Sequence, residues 1–300
     1  MKIALIGRTK MLLDTAEKLI SEGHEISLII TCTHTPESEA KYIDFENLSK
    51  KLKCKYFFYR NFNEEVNKFL EDNPLDIGIT MNWPTLIKKE TVKHFNFGII
   101  NAHGSDLPKY RGNACPNWAI LNGDEKLAVT FHMIDPMGLD TGDIVLKKYF
   151  DLNDNTYIGD VYKWFAKEIP KGFIESINFL KNGFKPIKQE GEAIRSYPRI
   201  PDDSKICWES SSDKILKLIR ASSYPFEGAY CFYKSSIVRI FKANQYEVSF
   251  KYFAMQGQIL LYSPNGFPVI NCGGGGAIEL TEFSLPNNEN LPRHLRFRLE

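Results

Sequence analysis

No two of the six cysteines, Cys32, Cys54, Cys115, Cys207, Cys231 and Cys272, stand at C-x-x-C spacing. A zinc knuckle or a paired redox centre is therefore disfavoured, no metal site is expected, and the six read as free thiols. Cys54 and Cys272 read as small hydrophobes rather than nucleophiles. No apolar run approaches the ~18 residues that a membrane-crossing helix requires. The opening MKIALIG enters a strand at once without a cleavage-like segment, so the expected compartment is the cytoplasm. Charge of one sign is scarce. Against 38 Lys plus Arg stand 37 Asp plus Glu, and a net charge of +1 gives no global field toward nucleic acid or a membrane. The dinucleotide fingerprint G-x-G-x-x-G is missing: Gly7 alone follows the first apolar run, which disfavours a nicotinamide enzyme. The run Gly273 to Gly276 lacks a Lys-Ser/Thr ending and a following helix, so it reads as a turn. Internal repeats and low-complexity tracts are also absent.

What is present is alternation. Apolar runs at 2–6, 25–31, 55–59, 76–80 and 97–101 are separated by helical periodicity at 11–21, 45–52, 64–70 and 88–94. That pattern predicts parallel strands with right-handed crossovers, an α/β Rossmann-like doubly wound sheet. Two further runs, 126–133 and 143–150, have no helix between them and predict an antiparallel extension joined by the loop 135–142. A long amphipathic helix follows at 156–181, with Pro170 inside it. The expected catalytic domain is 1–190. Residues 191–205 are polar, carry two prolines and predict a linker. Beyond it, one helix at 212–221 and short runs at 229–232, 237–242, 258–262, 268–271 and 277–282 predict a small β-rich, barrel-like (OB-like) domain over 206–300.

The polar residues concentrate in Gly98 to Asp143. Asn101 and His103 end an apolar strand two residues apart, on one side if the chain stays extended. An Asn carboxamide can donate to a developing oxyanion, and a His can move a proton near neutral pH. Asp140, on a glycine-flanked loop, can orient or charge-stabilise the imidazole. The plainer alternative is that Asn101 and His103 cap a turn and Asp140 belongs to a hairpin. No Ser or Cys elbow lies beside them, which favours direct acyl transfer without a covalent enzyme intermediate.

These residues carry a resemblance. NAHGSDLPKYRGNACPNWAILNG followed by VTFHMIDPMGLDTGDIV, with N-x-H, L-P-x-x-R-G and L-D-T-G-D in order, resembles the 10-formyltetrahydrofolate-dependent formyltransferases. WESSSDKILKLIRASSYPFEGAY and CGGGGAIELTE resemble the C-terminal barrel of the family's two-domain members. The resemblance implies a catalytic triad of Asn101, His103 and Asp140. Asn101 and protonated His103 would hold the oxyanion, and His103 or a water on Asp140 would take the amine proton. It places 10-formyltetrahydrofolate, the co-substrate, against Asn82, Trp83, Thr85, Leu86 and Ile87 and against Asp135, Gly138 and Leu139. Backbone groups can pair with a pterin edge there. Trp83 reads equally as an ordinary packing aromatic.

For the acceptor, the closest resemblance is to the sugar-nucleotide N-formyltransferases of the dTDP-4-amino-4,6-dideoxyglucose type, which serve O-antigen synthesis. The 3-amino sugar and methionyl-tRNA enzymes are the alternatives. The stretch 31–53, where the tRNA enzyme carries a basic insertion, sets Glu37, Glu39, Asp44 and Glu46 against Lys41, Lys50, Lys51 and Lys53. Such a mixture supplies a long phosphate backbone poorly. A diphosphate needs only a few donors, for which Ser105, Lys109, Tyr110, Arg111 and Asn113 are the candidates, with Arg8 and Lys10 weaker ones. The expected partner is thus a small sugar nucleotide, with no nucleic acid and no membrane. An open strand edge in the barrel would offer a route to a homodimer.

Overall fold

The computed structural model describes residues 1–35, 38–285 and 291. Glu37, counted among the charges above, lies outside the described residues, as does most of the tail of the expected C-terminal domain. The chain divides into two compact units. One comprises Met1–Cys115, Leu127–Phe150 and Tyr162–Tyr197, the other Pro116–Lys126, Asp151–Val161 and Pro198–Glu300. Residues 191–197, read from composition as linker, belong to the first.

In the first unit, β1 (Lys2–Gly7), β2 (Glu25–Thr31), β3 (Lys55–Phe58), β4 (Ile77–Met81) and β5 (Ile99–His103) alternate with helices. These are α1 (Lys10–Ser21), α2 (Tyr42–Leu52), α3 (Glu64–Asp72) and the single turn α4 (Lys89–Val92). The order of α1 follows from spacing: Met11, Leu12, Thr15, Ala16 and Leu19 share one buried face. The chain continues through β6 (Arg111–Gly112), α5 (Cys115–Asn122), β7 (Lys126–Met133), β8 (Ile144–Asp151), α6 (Ile158–Lys181) and β9 (Arg195–Ser196). The main sheet has the order β3-β2-β1-β4-β5-β7-β8. Its first five strands are parallel and β7 runs antiparallel to β5. The doubly wound, mostly parallel sheet expected from alternation is therefore the fold. Strands β1, β2 and β4 are buried almost throughout, as parallel strands covered on both faces must be. Strand order reverses between β1 and β4, the place where such sheets open a crevice for ligands. Three elements were not expected, β6, α5 and β9. The string Gly-Asn-Ala-Cys-Pro reads as a turn, but Pro116 lies in the first turn of α5, where its missing N–H costs no helical bond.

Helix α6 fixes the back of β7. Gly172 faces Phe131, and a Cβ there would lie 2.1 Å from the ring's Cζ. Phe131 is fully buried and also packs edge-on against Phe173 at 5.2 Å. Alanine at position 172 would gain about 1 kcal/mol of helix propensity, but overpacking of this depth costs about 1–3 kcal/mol. We expect Gly172→Ala to lower unfolding free energy by up to about 2 kcal/mol in urea titration, the overpacking cost less the propensity gain; a raised midpoint would refute this contact.

The second unit contains α7 (Ser212–Ser222), whose N-terminal amides are capped by Ser211 accepting from Lys214 N, and five strands. Strands β10 (Ala229–Tyr233), β11 (Ser236–Tyr246), β12 (Ile259–Tyr262), β13 (Pro268–Asn271) and β14 (Ala277–Ser284) form one antiparallel sheet in the order β10-β11-β14-β13-β12. Ile215 and Ile219 of α7 share its core with Trp208, Ile240, Ile270, Ile278 and Leu280. Among the described residues no helix is long and apolar enough to cross a membrane.

Candidate active site

Asn101 and His103 lie inside β5 rather than after it. Pairing with antiparallel β7 sets Asn101 opposite His132 and His103 opposite Thr130. The cross-strand pair brings Asn101 Nδ2 to 3.1 Å from His132 Nε2. His132 Nδ1 lies 2.9 Å from the carbonyl of Met133, which fixes the ring so that the Nε2 that meets Asn101 also faces Asp140. One N–H of the Asn101 carboxamide is thereby spent on orientation, and the second remains to be aimed.

His103 is buried at 8% exposure. Its Nε2 donates to the carbonyl of Tyr110 at 2.8 Å. The same carbonyl accepts from Ser105 Oγ at 3.3 Å and from the Cys115 thiol at 3.2 Å, and Cys115 Sγ lies 3.4 Å from His103 Nε2. His103 Nδ1 faces Asp140 Oδ2 at 3.6 Å, and His132 Nε2 faces Asp140 Oδ1 at 3.6 Å. Asp140 Oδ2 also accepts from the backbone N–H of Gly112 at 2.9 Å. Asn101, His103 and Asp140 are thus brought together, with His132 as a fourth member.

Because β7 is antiparallel, the loop that carries Asp140 leaves the sheet beside the start of β5, where Met133 opposes Ile100. Asp140 reaches the histidines by the return of that loop, not by sharing a strand end with them. It adopts a left-handed backbone conformation, φ +54°, which an L-residue holds only when its surroundings fix it. Gly112, the donor to its carboxylate, has φ +120°, and a Cβ there would lie 2.2 Å from the carbonyl of Ser196. Only glycine fits between the acid and that strand.

The electrostatics favour a charged pair. Burial pushes the His103 imidazolium down, but Cys115, the Asp140 carboxylate and the Tyr110 carbonyl more than reverse this and raise its pKa to about 10. For Asp140, burial alone would raise the pKa; His103, His132 and the Gly112 amide outweigh it and hold the carboxyl below its ordinary value. At neutral pH the centre holds an imidazolium beside a carboxylate, with an oriented amide next to both.

The remaining sequence-derived residues fall into two groups. Of the first, Asn82 is exposed with φ +55°, and Trp83 is half-buried against Phe62, ring centroids 5.5 Å apart. Thr85 donates to the carbonyl of Arg60, Leu86 is exposed and Ile87 is buried in the core. Asp135 accepts from Met137 N and Thr141 Oγ1, which shapes the turn holding Gly138 and Leu139. Of the second, Ser105 and Tyr110 are buried: the Tyr110 carbonyl accepts from His103 and from the Ser105 hydroxyl. Lys109 Nζ lies 5.1 Å from the Tyr110 ring centroid, and Asn113 is exposed. The Arg111 guanidinium donates from Nε and Nη2 to Gln189 Oε1.

Sequence reading missed His132 and Gln189. For His132 a signal existed: once 97–101 and 126–133 are paired antiparallel, a His must fall opposite Asn101 or its neighbour. For Gln189 there was none, since its contacts span 47 to 78 positions.

Comparison with known proteins agrees with this geometry. Residues 1–177 match the formyl transferase family and residues 200–294 match the formyl transferase C-terminal domain, so the chain belongs to the formyl transferase family and is a folate-dependent formyl-transferring enzyme. It is similar to the methionyl-tRNA formyltransferase of Thermodesulfovibrio yellowstonii, 31% identical over 251 residues that cover 82% of this chain and 80% of that one. Among solved structures it resembles WlaRD, a sugar 3N-formyl transferase seen with dTDP and 5-N-formyl-THF. The TM-score is 0.70 at 19% identity, covering 96% of this chain and 99% of that one. The methionyl-tRNA formyltransferase of Clostridium thermocellum superposes with a TM-score of 0.58 at 20% identity over 94% and 99%. At such identities the structural likeness speaks for the fold.

Proposed function

We propose that the chain is an N-formyltransferase acting on the amine of a nucleotide-linked amino sugar, with a dTDP-4-amino-4,6-dideoxyglucose as the leading acceptor. The observation that carries this reading is the stretch between β2 and β3. Among its described residues it holds one α-helix, α2, in which Asp44 closes the cap and Glu46 pairs with Lys50, and its sequence contains no arginine. With a net charge of +1, no broad basic face is supplied for an acceptor stem, whereas a diphosphate needs only a few donors. WlaRD, a sugar 3N-formyl transferase, shares this fold over nearly the whole chain, so the fold is compatible with that class.

10-Formyltetrahydrofolate supplies the formyl group. The segments 82–87 and 135–139 are the candidates to hold its pterin; in support of the first, the Trp83 indole N–H is buried with no partner among the described residues, a donor in want of an acceptor. In this reading Asn101 turns its second amide N–H toward the formyl oxygen as negative charge develops there, and the positive charge of His103, whose own N–H groups point to Tyr110 and Asp140, stabilises that charge through space. Asp140, already ionised, would draw the proton from the attacking amine, directly or through one water, and return it to the folate nitrogen as that nitrogen's bond to the formyl carbon breaks. Lys109, Arg111 and Asn113 border the diphosphate, with Ser105 and Tyr110 supporting the turn.

Methionyl-tRNA is the second reading, favoured by the curated relative at 31% identity. A screen with formyl-folate against dTDP- and UDP-linked 3- and 4-amino sugars and methionyl-tRNA separates them. We expect turnover with a dTDP-4-amino sugar; formylation of methionyl-tRNA alone would overturn the assignment.

A further inference from the structure

We propose that Gln189 is a positioning residue for formyl transfer, a carboxamide that locks the guanidinium of Arg111 to the loop presenting Asp140. The residue lies between the two matched segments, 1–177 and 200–294, in a strap after α6 that neither covers.

Its four polar contacts are all made. Nε2 donates to the carbonyls of Asp140 and Gly142, both at 2.8 Å. Oε1 accepts from Arg111 Nε at 3.1 Å and Nη2 at 2.7 Å. The amide's orientation is dictated by its neighbours. Two carbonyl oxygens can be met only by a donor, and a guanidinium only by an acceptor. Neither Glu nor a flipped Gln satisfies both ends.

The strap is pinned on both sides of this residue. Ile187 exchanges hydrogen bonds with Ile144 at the start of β8, at 2.7 and 2.9 Å. Further along, Arg111 N donates to the Ile194 carbonyl at 2.8 Å, and Asn113 N to the Ser196 carbonyl at 3.2 Å. Gln189 is therefore held from outside its own contacts, as a group must be if it is to hold others. What it holds has few other fixings. Asp140 is left-handed, and among the described residues its backbone and carboxylate are tied by Gln189, by Gly112 N and by the two histidines. Loss of the Gln189 bond frees the Asp140 carbonyl and lets the carboxylate drift from His103. A shift of 1 Å in a reacting group can cost about a hundredfold in rate.

Two substitutions separate the halves of the contact. Gln189→Met keeps the length and removes every hydrogen bond. Gln189→Glu keeps a partner for Arg111 but sets a carboxylate oxygen against the two loop carbonyls. The first readout needs no acceptor: the titration of the His103 imidazole followed by NMR. Both variants are expected to lower its pKa by about one unit, because the carboxylate moves away. The second readout uses the acceptor found in the screen above and rests on that reading. Both variants should lower kcat by about 10- to 100-fold, while the acceptor KM rises in Gln189→Met only. Melting curves guard against unfolding. If His103 titrates as in the wild type in a folded variant, or if kcat stays within about twofold in both, the role is overturned. Failure of the acceptor assignment leaves the titration result standing.

Discussion

Replacing His103 by alanine is expected to lower kcat by about 10³- to 10⁴-fold, with folding retained. The imidazolium sits between the Tyr110 carbonyl at 2.8 Å and the Asp140 carboxylate at 3.6 Å. The cavity left by the side chain is bordered by Ser105 and Cys115, both already bonded to the Tyr110 carbonyl. The local backbone bonds, such as Ser105 N to the His103 carbonyl at 2.9 Å, do not depend on the imidazole. Steady-state rates with formyl-folate and acceptor, together with a melting curve, test this. Turnover near the wild-type value would remove His103 from the chemistry.

The second large effect is expected from Asp140→Asn. The neutral amide keeps the shape of the side chain and loses the charge. The rate should fall by about 10²- to 10⁴-fold, and the pH profile should change in a defined sense. His103 is held protonated up to about 10 by burial-opposing partners that include Asp140. Without that carboxylate its pKa falls, so activity that depends on the imidazolium should be lost at lower pH than in the wild type. An alkaline limb that stays in place would show that Asp140 does not set the charge of His103.

Stability follows the same groups with opposite signs. His103, raised above its ordinary 6.5, contributes stability fully below that value and loses it as pH rises through about 10. Asp140, held below its ordinary 3.8, contributes stability above that value and loses it as pH falls through its depressed folded pKa. The pair therefore contributes most between those ordinary values, and Asp140→Asn should flatten the alkaline fall in stability measured by denaturant titration.

Much of this was readable from periodicity. Buried parallel strands are continuous apolar runs, and α1 and α3 have one apolar stripe each, so the first unit's order emerged from local pattern. So did the position of Asn101 and His103 on one strand, because side chains two apart share a face. The reading failed where structure depends on partners far away. β6 and β9 are two residues each and exist only through each other. His132 required strand register, and Gln189 required the strap to fold back over the loop. The left-handed state of Asp140 has no decisive local signature either, since the glycines that flank its loop, Gly138 and Gly142, each stand two positions away.

The pairing of β6 with β9 also orders events in time. A ribosome delivers the Asn-x-His strand and the Asp140 loop early, but Arg195 and Ser196 follow 84 positions after Arg111 and Gly112. Until they emerge, the turn at 108–113 has no strand to pair with, and Gln189 is not yet there to receive Arg111. A nascent chain halted at the end of α6 would carry all three triad residues and still lack a finished catalytic centre, which defers any chemistry until synthesis has passed the strap.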